Sequence, residues 1–118
     1  MTARAFRTFA LSLPEATEGS HMGHADFRVR GKIFASLGPE EDWAMVKLPP
    51  DEQADLLDED GEVYQPASGA WGLQGCTIVQ LRGGKAQTVQ EALVAAWRKT
   101  APKTLVREYD RRHEPGQK

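Results

Sequence analysis

The chain reads as an α+β domain in which an antiparallel sheet of five or six strands is packed, on one face, against an N-terminal and a C-terminal helix. Three observations predict it. Residues 26–37 alternate apolar and polar on both sides of Gly31, the pattern of a hairpin. Phe6, Phe9, Ala10 and Leu13 fall on the i, i+3, i+4, i+7 stripe of one helix. Val89, Ala92, Leu93, Ala96, Trp97 and Thr100 fill one face of another near the opposite end.

Each element has a local reason. Thr2 can cap the first helix and Pro14 closes it, with Arg4, Arg7 and Thr8 facing away from the stripe. Residues 18–24 lead straight into the hairpin and read as a short edge strand. In the hairpin, Phe27, Val29, Ile33, Ala35 and Leu37 share the core face, and Arg28, Phe34 and Ser36 the other. Both arms keep that parity if an odd number of residues, Arg30-Gly31-Lys32, makes the turn.

After Gly38-Pro39, residues 43–48 form a strand with Ala44, Val46 and Leu48 on one side and Trp43, Met45 and Lys47 on the other. Pro49-Pro50 opens a short helix with Asp51 and Glu52 at its positive end and Leu56 and Leu57 inward. Val63-Tyr64 and residues 76–81 are strands around a loop, 66–75, that Gly69, Gly72 and Gly75 allow to turn sharply. Thr88 and Glu91 make a T-x-x-E capping box for the long helix. Beyond Pro102, Leu105, Val106 and Tyr109 can pack a final turn. The division is one domain over 1–110 and a polar tail over 111–118. Trp71 and Trp97 are expected in the core, and Trp43 fits either face.

Composition narrows the function classes. At 118 residues the chain suits one core. It has no apolar run of membrane-spanning length and no signal-peptide h-region, so a cytoplasmic location is expected. One cysteine, Cys76, leaves no intrachain disulfide and no cysteine-based metal cluster. The net charge of −2 hides a separation: residues 40–62 hold ten acids and one lysine, a local −9, against +7 elsewhere. From Arg82 onward nine cations face four anions.

Arg28, Arg30, Lys32, Phe34, Lys47, Arg98 and Lys103 are the candidate nucleic-acid-binding residues, since cations position a phosphate backbone and an exposed ring stacks or wedges. A solvated sheet face with snorkelling side chains explains the same residues. His21 and His24 lie three apart, on opposite faces of a strand unless a turn intervenes, and lack further local ligands, so no metal and no cofactor is expected. Ser68 has no evident base partner, Cys76 begins a strand, and the spacing of the three loop glycines matches no phosphate-binding motif. No catalytic residue is assigned.

Leu13-Pro14-Glu15, His21…Gly23-His24 before Phe27-Arg28-Val29, Gly31-Lys32-Ile33-Phe34-Ala35, Lys47-Leu48, Trp71-Gly72 with Gly75, and Ala96-Trp97-Arg98 followed by Ala101-Pro102-Lys103 occur in an order that resembles the MmcQ/YjbR family of small bacterial proteins. Together they span positions 11–105. The resemblance implies a frataxin-like (CyaY-like) sandwich with a double-wing motif and a proposed DNA-binding role. One departure is the family's Gly-Trp pair, here Gly75-Cys76. Frataxin iron chemistry does not carry over, because the first helix bears Arg4 and Arg7 and no acid before Glu15. The leading expectation is therefore a non-enzymatic module that binds DNA or another anionic partner through the hairpin tip and the basic C-terminal helix. The alternatives are a protein-interaction adaptor using the acidic 40–62 segment and, ranked last, a small-ligand binder.

Overall fold

Two tight hairpins organise the N-terminal half. In the computed structural model, which describes residues 1–113, strand β1 (Ala16–His21) turns through Met22-Gly23 into β2 (His24–Val29), which turns through Arg30-Gly31 into β3 (Lys32–Leu37). Both turns have two central residues at positive φ, 53° and 83° in the first and 52° and 81° in the second. That is the geometry whose twist matches the flanking strands, and glycine takes the second position of each at no steric cost.

The second turn has two residues, not the three that sequence parity required. The missing odd residue is supplied within β3 instead. Asp26 pairs with Ser36, Phe27 with Ala35 and Arg28 with Ile33, leaving Phe34 unmatched in a β-bulge. Phe34 and Ala35 consequently both face the core, and the parity of the strand reverses. Phe34 is 0% exposed, so it is not the surface ring expected from alternation, and Ile33 turns to the other face.

Strand β4 (Trp43–Lys47) continues the meander, and after α2 (Pro50–Glu59) the chain adds β5 (Tyr64–Pro66) and β6 (Cys76–Gln80). The sheet has six strands in the order β1-β2-β3-β4-β6-β5, every neighbouring pair antiparallel. Between β5 and β6 the Gly-rich stretch forms a short helix, α3 (Gly69–Leu73), where the sequence suggested only a loop.

Helices α1 (Ala3–Ser12) and α4 (Ala86–Thr100) cover one sheet face, followed by α5 (Lys103–His113). Thr2 caps α1 as expected, accepting from the Ala5 amide. Phe6, Leu93 and Trp97 are fully buried against Phe27, Phe34 and Leu37, and Phe9 is half-buried at the edge of that core. The Trp97 indole N–H donates to the Pro14 carbonyl at 3.0 Å, which satisfies its polar edge and fastens α4 to the end of α1.

Helix α4 begins at Ala86, so Thr88 lies inside its first turn and the capping box does not form; the Thr88 hydroxyl turns to Glu59 on α2. Residues 111–113 of the expected polar tail belong to α5, and 114–118 lie outside the described residues. No described helix is long and apolar enough to cross a membrane.

A trough on the open face of the sheet

The face turned away from the helices carries the second set of alternating side chains. Asp26 and Ser36 oppose each other across β2 and β3, Ser36 opposes Met45, and Met45 opposes Ile78. Beside this row run Arg28, Ile33, Lys47 and Cys76. The β1–β2 turn bounds one side with His21, Met22 and His24, and α3 bounds the other with Trp71. Between them lies an open trough of about 420 Å³, its floor made mainly by Ile33, Met45 and Cys76. That volume is in the range of small-molecule sites. The small Cys76 stands where the resemblance noted above has a tryptophan, and it leaves the floor beneath Trp71 open.

Trp71 was expected in the core but is 63% exposed. Its helix is short, and what holds it is a set of contacts to the sheet and to α2 and α4. The Gln53 amide, buried on α2, donates to the carbonyls of Gly72 and Cys76, each at 3.1 Å. The Lys99 ammonium from α4 donates to Leu48 O and Gln74 O, each at 3.3 Å. Gly75, at φ 109°, accepts from the Leu48 amide at 3.1 Å, and a Cβ there would lie 1.8 Å from the Leu48 carbonyl oxygen. Gly72 is equally constrained, a Cβ falling 1.9 Å from Ala67 O. The Trp-Gly…Gly pattern is thus a mounting: two positions without side chains let the backbone close down and leave the indole standing out. The Lys47 ammonium lies 6.0 Å from the centre of that ring.

Of the residues singled out as contacts for a polyanion, three arginines are already occupied. Arg28 makes a two-pronged pair with Asp26, at 2.8 and 3.0 Å, and the carboxylate is only 2% exposed. This pair lies over Gly19, where a Cβ would come within 2.9 Å of Asp26 Oδ1. The hydrogen bonds it donates to Asp26 raise the Arg28 guanidinium above its ordinary value. Arg30, at the hairpin tip, is held by Glu15, whose carboxyl this hydrogen-bonded pairing holds below its usual range. Arg98 pairs with Asp110 of α5. Lys32 is exposed beside the tip, and Lys103 is exposed at the start of α5. The constellation therefore does not converge: Arg28 and Lys47 share the open face, Arg30 and Lys32 the tip, and Arg98 and Lys103 the helical layer.

Gln53, Lys99 and Met22 were missed by sequence reading. Only Met22 left a signal, a large apolar residue at a Gly-containing turn; it is 83% exposed. Burial pushes the Cys76 thiol above its ordinary value despite the opposing influence of Lys47 and Lys99, which makes it a poor nucleophile. Among the described residues no group of three or more His, Cys, Asp or Glu is placed to hold a metal. A second, smaller groove, between α2 and α4, is lined by Glu52, Asp55, Glu59 and Glu91.

Fold and trough together define a small α+β module whose antiparallel sheet is helix-backed on one face and bare on the other. A family model described as YjbR matches residues 11–99, and the chain belongs to the YjbR family. Among solved structures, Deinococcus radiodurans protein DR2400, a DUF419 domain, is similar with a TM-score of 0.73 and 18% identity, over 83% of this chain and 77% of that one. At that identity the likeness shows the fold. No curated protein matches the chain.

Proposed function

We propose that the protein is a non-enzymatic binding module that takes nucleic acid on the open face of its sheet. The observation that carries this reading is the Trp71–Lys47 pair: an exposed aromatic on a braced helix with a cation beside its ring, at the rim of a ligand-sized apolar trough. Aromatic platforms with adjacent cations hold bases by stacking and the neighbouring phosphate by charge. Among the described residues no unpaired carboxylate in the trough opposes it, because Asp26 is paired with Arg28, and the acids of the groove between α2 and α4 act on it only at long range. Absence of catalysis is part of the proposal, supported by the protonated, buried Cys76 and by the closing of Asp26 in its fork with Arg28.

The test is fluorescence anisotropy of labelled DNA at low ionic strength. Lys47→Ala should weaken binding and flatten the dependence of log K on log salt by about one unit, the loss of one phosphate contact. Arg98→Ala and Lys103→Ala, on the helical layer, should leave both unchanged. Absence of binding at low salt would overturn the reading in favour of an adaptor using the groove lined by Glu52, Asp55, Glu59 and Glu91 against a basic partner.

A further inference from the structure

Resting on that reading, we infer that the trough accepts an unpaired base, so that the preferred ligand is a single strand and not a duplex. Duplex binding draws its affinity from the number of phosphates neutralised. This surface is poorly equipped for that, because Arg28 is committed to Asp26, Arg30 and Arg98 lie away from it at the tip and on the helical layer, and Lys47 is the cation that, among the described residues, lines the trough.

What the face does offer is apolar. Trp71 presents most of its surface to solvent, Met22 projects from the opposite rim, and Ile33 and Met45 floor the space between. A base inside a duplex has both faces covered by its neighbours and cannot reach such a platform without leaving the stack. A base in a single strand is already free to do so. Stacked on Trp71, it would sit with its edge toward Ser36, Ser68 and the two histidines, all of which line the trough and can exchange hydrogen bonds with it. Its phosphate would then fall near Lys47. One cation beside one ring matches the charge of one nucleotide.

The experiment compares three labelled probes of equal length and mixed sequence: a single strand, the corresponding duplex, and a single strand with abasic sites that keeps every phosphate. The single strand is expected to bind at least about tenfold more tightly than either of the others, with quenching of tryptophan fluorescence and a shallow salt slope. Trp71→Leu should remove roughly tenfold of the single-strand affinity and Trp71→Phe should retain most of it. Because Trp71 is exposed, neither change should impair folding, which circular dichroism will check. Equal or tighter binding of the duplex, or of the abasic strand, would overturn this inference while leaving nucleic-acid binding intact. If no probe binds at low salt, both fall together.

Discussion

Gly75 has the narrowest tolerance of any single residue in the trough's support. A side chain there would need both a left-handed backbone and space already filled by the Leu48 carbonyl. Gly75→Ala should lose at least about 2 kcal/mol in urea denaturation, from strain and from displacement of α3. Gln53→Leu keeps much of the volume but leaves two carbonyls without their donor, at a cost of about 1–3 kcal/mol. Cys76 gives a pH signature. Its folded thiol titrates above the ordinary value near 9, chiefly through burial, and burial with help from Glu59 and Asp60 moves Tyr64 upward in the same way. In both cases the neutral form is favoured by folding, so stability is fully present below the ordinary values and declines as pH rises through the folded ones. Urea midpoints measured on the alkaline side should fall, and Cys76→Ala should remove the thiol's share of that decline.

At the scale of elements, the β2–β3 hairpin shows what a sequence can and cannot disclose. Its existence, its Gly31 turn and the burial of Phe27, Val29, Ala35 and Leu37 are legible from alternation alone. The bulge is not, because Ile33-Phe34-Ala35 satisfies period two equally well with or without a doubled residue, and only the pairing across to Phe27 decides. One inserted residue then exchanges the roles of Ile33 and Phe34. Phe34→Ala should accordingly destabilise the fold by about 3–5 kcal/mol without changing the salt dependence of binding by folded protein, which unfolding curves and anisotropy together will show. Both terminal helices could be read from their stripes, with α1 starting where Thr2 caps it. The start of α4 was obscured by a T-x-x-E pattern that falls inside the helix's first turn instead of at its cap, and α3 was hidden because three glycines argue for a loop until Gln53 and Lys99 brace it. In the β1–β2 turn, Met22 occupies a positive-φ position that asparagine fills with less strain. Met22→Asn should raise stability by roughly 0.5 kcal/mol, measured by thermal unfolding.

For the molecule as a whole, charge separation along the chain does not make the open face of the sheet a basic pole. Cations distribute over the tip, the open face and the helical layer, and among the described residues five of them, Arg7, Arg28, Arg30, Arg98 and Arg112, close on carboxylates, so the open face does not gather the density that a phosphate-driven binder requires. Neutralising Asp58, Glu59 and Asp60 should therefore strengthen DNA binding modestly at low salt and scarcely at physiological salt, where the screening length is about 8 Å. The strand order β1-β2-β3-β4-β6-β5 has a consequence in time. The first four strands pair with immediate neighbours through short turns, whereas β6 must reach β4 across about 28 intervening residues and bring β5 with it. Closing that longer loop carries the larger entropic penalty, so the meander sets early and the sheet is completed late. The last contacts made are the first released in sub-global opening of the native state. The amides of Leu48 and Ala67, which bond Gly75 O and Cys76 O, should exchange with deuterium sooner than those joining β2 to β3, and the tryptophan platform assembles last and loosens first.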